Sequence, residues 1–276
     1  MISVIIPANN EARYIAECLN SLLGSAATAA PVQVVVVANG CTDNTVEEAQ
    51  ALADAFTARG WRLDVLDLAE GGKIGALNAG DAAALYDRRV YLDADIRMSA
   101  DLLPQMTNAL DRDEPVYVSG SLSVPQARSF ISDRYARFWQ RLPFVAENVP
   151  GCGIFAVNAT ARARWGAFPD IISDDTFARF HFTPDEMHKV PAPFQWPITE
   201  GFANLVRVRR RQDAGLEQMR RLYPDLAART PVTSPPTGQK LRLLFRDPVG
   251  FFVYASVAIA VRLPVLRNRN GWDRGR

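Results

Sequence analysis

"MISVIIPANNEARYIAECLNSLLGS", residues 1–25, passes from the run ISVII to the polar NNEAR, then sets Ile15, Leu19, Leu22 and Leu23 at helical spacing before Gly24. A strand with one wet face would alternate apolar and polar residues. ISVII does not, so it predicts a strand covered on both faces, as in a parallel sheet. The helix after it ends on its glycine. A strand leading at once into a helix is half of a parallel crossover unit, and the chain repeats the unit.

VQVVVVA (residues 32–38) predicts a second strand, followed by the turn NGCTD and an alanine-rich helix over about residues 44–59. WRLDVLDL then supplies a third strand, KIGALNAGDAAALY a third helix, and RRVYLDAD a fourth strand ending in Asp93 and Asp95. Strands and helices alternating at this pace predict an α/β fold: a Rossmann-like, mostly parallel sheet flanked by helices on both faces. Ligands of such sheets lie outside the carboxyl ends of the strands. Asn9, Glu11, Asn39, Asp93 and Asp95 all fall at those ends and are expected to share one crevice.

After about residue 115 the rhythm changes. VYVSGSLSV predicts a strand, ARSFISDRYARFWQRL an amphipathic helix, GCGIFAVN a glycine-led strand, and ISDDTFARFHF a loop entering a helix. The expected organisation is a domain over residues 1–229, with halves 1–114 and 115–229, then a proline-rich linker at 230–238 and a C-terminal helical extension at 239–276. GCGIFA fits the glycine spacing of a dinucleotide fingerprint, but β-prone residues follow its glycines where a helix is required, so that reading fails.

Composition narrows the function. Of 276 residues 48% are hydrophobic, and the formal net charge is +1, which offers no attraction to nucleic acid. Cys18, Cys41 and Cys152 are odd in number and lack metal-type spacing, and only His181 and His188 are histidines. They read as reduced thiols in a cytoplasmic protein without a histidine-rich metal centre. The N-terminus has no basic start and turns polar at Asn9, unlike an export signal. The C-terminal run DPVGFFVYASVAIAVRLPVL is almost wholly apolar, but Arg262 and Pro264 interrupt it before the ~20 residues a spanning helix needs. Around it lie Lys240, Arg242, Arg246, Arg267, Arg269, Arg274 and Arg276. Two readings stay open: a helix packed on the domain, or an interfacial helix whose basic residues meet anionic lipid on the inner face of the membrane.

An aspartate pair at a strand end needs a reason, because a buried unpaired carboxylate is costly. In a crevice with helix N-termini and a lysine, it suits a nucleotide diphosphate with a divalent cation bridging carboxylate and pyrophosphate. The chain resembles the family 2 glycosyltransferases, inverting enzymes of GT-A fold. The resemblance rests on SVIIPANNEARYI, VVVVANGCTDNT, GGKIGALNAG, YLDADI, and GCGIFAVNATARARWGAFPD with ISDDTFAR, in the family's order.

That resemblance implies roles. Pro7, Asn9, Glu11 and Asn39 line the nucleoside pocket, with Lys73, and Asn78 behind it, near the nucleotide. Asn39 stands where the family usually has a base-binding aspartate; an amide oxygen still accepts a hydrogen bond. Asp43 is the expected helix cap. Asp93 falls to the ribose or donor sugar and Asp95 to a manganese or magnesium ion. Asp175 matches the catalytic base and Asp174 the residue before it.

The implied activity is transfer of one sugar, hexosyltransferase-like, from a nucleotide-diphosphate sugar to an acceptor hydroxyl. The implied donor is a UDP-sugar, and the acceptor a glycan or a lipid-linked one, in polysaccharide or glycolipid synthesis. RVRRRQ, from Arg207, sits where the family places basic residues facing the diphosphate, though most such runs are a solvated helix face. Trp139, Trp165 and Trp196 are candidates for a sugar platform, or for core packing. Two competitors remain. A sugar nucleotidyltransferase needs a glycine-rich loop after the first strand, where PANNEAR has no glycine. A non-catalytic nucleotide-sugar binder leaves the second acidic pair without a task.

Overall fold

The computed structural model describes residues 1–27, 30–230 and 237–263. Its strands are β1 (Ile2–Ala8), β2 (Val32–Asn39), β3 (Arg62–Leu68), β4 (Arg89–Leu92), β5 (Arg97–Met98), β6 (Tyr117–Ser123), β7 (Ile154–Val157) and β8 (Met187–Gln195). They form one sheet in the order β3-β2-β1-β4-β7-β6-β8-β5. β1 runs parallel to β2 and β4, and β2 to β3, so the expected parallel core stands. β7 is antiparallel to both β4 and β6, which ties the second half to the first by main-chain bonds.

Every residue of β1 and β2 is buried, as their unbroken apolar runs predict. Side chains alternate between two cores. Ile2, Val4 and Ile6 meet the apolar side of α1 (Ile15–Leu23), while Ile5 packs with Leu77 of α4 (Lys73–Ala83) and with Tyr91. The alanine-rich segment after β2 turns at Ala51 and Leu52 and makes two short helices, α2 (Thr45–Gln50) and α3 (Ala53–Ala58), rather than one.

The first half closes with α5 (Leu102–Ala109), and the second contributes α6 (Phe130–Trp139), α7 (Pro143–Ala146), α8 (Ala159–Arg162), α9 (Asp174–Phe180), α10 (Phe202–Leu222) and α11 (Pro224–Arg229). β8 carries Pro191 and Pro193, residues that ordinarily demote a strand. Its burial nevertheless alternates, with Val190, Ala192 and Phe194 inward and the prolines outward.

The C-terminal segment holds α12 (Thr237–Arg246) and α13 (Pro248–Arg262). α13 packs on α6 and α10 in a separate core of Tyr135, Leu205, Val206, Val257 and Ala260. Tyr135 stacks on Tyr254 at 5.3 Å and Phe138 meets Phe251 at 5.9 Å, so α6 and α13 run antiparallel. Asp247 caps α13 by accepting from Gly250 N at 2.9 Å and pairs with Arg141 at 2.8 Å. Most of the proline-rich stretch, residues 231–236, and the arginines after residue 263 lie outside the described residues.

Candidate active site

The floor of the site is a knot between the loops after β1 and β2. Asn10 adopts φ 51°, a conformation asparagine tolerates, and its Oδ1 accepts from Thr42 N at 2.6 Å. Glu11 N donates to Thr45 Oγ1 at 2.7 Å, and Ala12 N to Asp43 Oδ2 at 3.2 Å. Asp43 Oδ1 also accepts from Thr45 N at 3.1 Å, so one carboxylate opens α2 and holds the neighbouring loop. Asn9 Nδ2 donates to the carbonyls of Asn39 and Gly40. At Gly40, with φ 55°, an added Cβ would lie 2.7 Å from Gly71 N, so no side chain fits between the two backbones.

Asn39 is buried and its amide is committed to the fold. Nδ2 donates to Ala8 O at 2.8 Å and Val37 O at 3.2 Å, while Oδ1 accepts from Gly72 N at 2.9 Å. The amide thus joins β1 and β2 to the residue preceding α4, and only one Oδ1 lone pair is left for a ligand. Asn78, expected near the nucleotide, instead clamps Phe168: Phe168 N donates to its Oδ1 at 2.7 Å, and its Nδ2 donates to Phe168 O at 3.0 Å.

Above this floor is a cavity of about 450 Å³. Pro7, Asn9, Glu11, Asn39, Lys73, Asp93 and Asp95 all line it, so the expected donor and metal positions share one space. The facing wall comes from the segment after β8 and from α10: Trp196, Thr199, Glu200, Asn204, Val208 and Arg211. No motif in the sequence marked Thr199, Glu200 or Asn204. A smaller recess beside the cavity adds Asp174 and Asp175 to Lys73 and Asp93.

Lys73, first residue of α4, bridges the two acidic pairs. Its Nζ lies 2.8 Å from Asp93 Oδ1 and 3.1 Å from Asp174 Oδ1. Burial alone would lower its pKa, but the charges of Asp174 and Asp93 outweigh it and hold the ammonium protonated. Asp175 is pushed up to about 6, first by desolvation and then by the charge of Asp174, with Lys73 opposing. Asp174 and Asp175 are the first residues of α9, whose N-cap is Ser173, so neither occupies the capping position.

The RVRRRQ run divides among three surroundings. Arg211 lines the cavity; Arg209 donates to Asp213 at 2.9 Å and to Tyr254 Oη at 3.1 Å. Arg210 Nη2 donates to Ala260 O at 2.8 Å and Leu263 O at 2.9 Å, capping the negative end of α13. Of the tryptophans, Trp165 is core and Trp196 faces the cavity, with Trp139 tilted against it at 5.3 Å.

As for metal, the described residues hold no cluster of three or more His, Cys, Asp or Glu side chains able to enclose an ion. Asp95, at the cavity wall beside Asp93, is a hard oxygen donor of the kind magnesium or manganese takes singly, with phosphate and water completing the shell. The residues therefore fit an ion that arrives with a diphosphate.

Residues 3–163 match the model of the family described as glycosyl transferase family 2. The chain is 27% identical over 114 residues to the uncharacterized glycosyltransferase EpsJ of Bacillus subtilis (strain 168), spanning 41% of this chain and 31% of that protein. It is 37% identical over 94 residues to the uncharacterized glycosyltransferase alr2836 of Nostoc sp. (strain PCC 7120 / SAG 25.82 / UTEX 2576), spanning 34% of this chain and 28% of that one. These matches thus cover less than a third of either relative.

Among solved structures, the mannosyltransferase PcManGT of Pyrobaculum calidifontis, in complex with GDP-Man and Mn2+, superposes with a TM-score of 0.61. It shares 20% identity, over 94% of this chain and 73% of that one. S. aureus TarS 1–349 in complex with UDP-GlcNAc gives a TM-score of 0.55 at 15% identity, over 94% of this chain and 81% of that one. The curled eight-stranded sheet with its flanking helices is the GT-A type of fold.

Proposed function

Because the chain belongs to glycosyl transferase family 2, we propose that it is an inverting enzyme moving one sugar from a nucleotide-diphosphate sugar to an acceptor hydroxyl. The observation that carries this reading is the position of Lys73 between Asp93 on the donor cavity and Asp174 beside Asp175. A binding protein needs the first contact; only transfer gives work to the second acidic pair.

In this reading the nucleoside lies over Pro7, Asn9 and Glu11, against the loop knot that holds these residues rigid. Asp93 orients the ribose or donor sugar, and Lys73 fixes Asp93 as well as supplying positive charge near the diphosphate. Asp95 would hold manganese or magnesium, which when bound supplies charge neutralisation for the departing diphosphate. Arg211 faces the same cavity from α10.

Asp175 takes the acceptor proton while the hydroxyl oxygen attacks the anomeric carbon opposite the leaving group. A pKa of about 6 suits a base that is ionised at neutral pH yet basic enough to accept a proton. Asp174, ion-paired to Lys73, is left as the positioning partner. UDP- and GDP-bound neighbours together leave the base open, and the committed amide of Asn39 gives uracil no special claim.

The acceptor is proposed to be a glycan or a lipid-linked sugar at the inner face of the membrane. The deciding experiment is donor hydrolysis and transfer across a panel of UDP- and GDP-sugars with manganese. Turnover of at least one donor, lost in Asp175→Asn, supports the proposal; binding of donors without any turnover would leave a nucleotide-sugar binder.

A further inference from the structure

α13 is apolar on two sides and covers only one of them. Val253, Tyr254, Val257 and Ala260 pack on α6 and α10. The opposite stripe is bare: Val249 is 47% exposed, Phe252 64%, Ile259 58% and Leu263 50%, and Phe245, at the end of α12, is 81% exposed. Within α13, Val249, Phe252 and Ile259 are spaced by three and seven residues, which keeps them on one side of that helix, while Phe245 and Leu263 lie just beyond its two ends. A bare row of this length is a surface built to be covered. The packed reading therefore describes one face of α13 and leaves the other face to be accounted for.

Charge selects the cover. From residue 237 to residue 263 the cationic residues are Lys240, Arg242, Arg246 and Arg262, and the only acid is Asp247. That acid is spent on the cap of α13 and on Arg141, while Arg242, Arg246 and Arg262 are exposed. A second copy would bring like charges together across the contact. An anionic leaflet offers hydrocarbon to the stripe and phosphate to its arginine fringe.

Position gives the surface a purpose. The antiparallel pairing of α6 and α13 brings Phe130, 62% exposed, toward the end of α13 that carries Ile259 and Leu263. Just before Phe130, Arg128 lines the rim of the donor cavity, and Glu200 accepts from Arg128 N at 2.8 Å. The bare stripe and the cavity rim thus converge at the start of α6. We infer that the exposed face of α12 and α13 is a docking surface for an anionic lipid bilayer, holding the cavity beside acceptors carried in that bilayer. This deepens the proposed function by naming where its acceptor is met.

Flotation of the full chain with phosphatidylglycerol–phosphatidylcholine vesicles, and with phosphatidylcholine alone, tests it. The wild-type chain should float with the anionic vesicles, less so at high salt, and poorly with the neutral ones. Phe252→Glu with Ile259→Glu should abolish flotation while leaving donor hydrolysis in solution unchanged. Arg242→Glu with Arg246→Glu should weaken partitioning by on the order of tenfold or more while the melting temperature holds. No flotation of the wild type, or flotation of both variants equal to that of the wild type, overturns the inference. So does a wild-type dimer in light scattering that Phe252→Glu with Ile259→Glu converts to monomer, because a second copy then covers the face. Donor hydrolysis needs no vesicles, so its absence would count against the enzymatic reading alone.

Discussion

Lys73 and Asp174 meet across the two halves of the chain, Nζ to Oδ1 at 3.1 Å, each at the first position of its helix. Asp174 is 6% exposed and gains little from water. Removing Lys73 leaves a buried carboxylate without that counter-ion, so Lys73→Met should cost about 2–4 kcal/mol of stability at neutral pH. It also removes the charge that opposes the upward shift of Asp175, so the acid limb of the rate profile should move to higher pH. Urea unfolding and a pH–rate profile check the two effects separately.

Asp175 should show a conflict between activity and stability. Its folded pKa of about 6 lies above the ordinary carboxylate value. The stability it contributes is therefore fully present below the unfolded pKa and lost as pH rises through about 6. Asp175→Asn should raise the melting temperature at pH 7 and cut turnover by about two to four orders of magnitude. In the wild type, kcat should rise with pH through about 6 as the base ionises. A fully active Asp175→Asn alongside a dead Asp174→Asn would reverse the two roles.

Asp95→Ala should abolish metal-dependent tightening of donor binding, and excess chelator should reproduce the loss in the wild type. Calorimetry with a nucleotide diphosphate, with and without manganese, measures it; equal affinity in both conditions would falsify a metal role for Asp95.

Asn39→Asp is expected to fail as a gain-of-affinity change. The aspartate would aim carboxylate oxygen at the carbonyls of Ala8 and Val37, which now accept from Nδ2. A loss of about 1–3 kcal/mol in folding stability should follow, read from denaturant curves. UDP calorimetry then shows whether affinity falls with the fold or rises despite it.

Tyr117 is fully buried, stacked on Phe155 at 5.2 Å, and its hydroxyl has no hydrogen-bond partner among the described residues. Tyr117→Phe keeps the stack and removes the orphan, so it should stabilise the chain by about 1 kcal/mol, read as a higher melting temperature.

The first half of the fold was legible because its signals are local. Apolar runs at β1 and β2 and helical spacing at α1 need no distant partner to be read. β8 hid behind Pro191 and Pro193, which sit on the outward positions of a strand whose inward residues alone keep the period. The position of the candidate residues Asp93 and Asp95 was legible for the same reason as the strands, since they follow directly from where β4 stops. The arginines of α10 were not. Arg209, Arg210 and Arg211 are consecutive in sequence, and only the placement of α13 against α10 separates a tyrosine partner, a helix cap and a cavity wall.

The cavity has walls of different kinds, and that governs how its specificity can change. Under the proposed nucleoside positions the backbone itself is interlocked, with Gly40 pressed against Gly71 and Asn39 bonded in three directions. Substitution there breaks the chassis. The wall made by Asn204, Val208 and Arg211 is one flank of a helix, whose own main-chain bonds survive an exchange of side chains, although Asn204 Nδ2 also donates to Glu200 O at 2.9 Å. Variation in donor choice is therefore expected to accumulate on α10, and a library randomised at those three positions should yield altered donors where one built on residues 39 and 40 yields mainly destabilised protein.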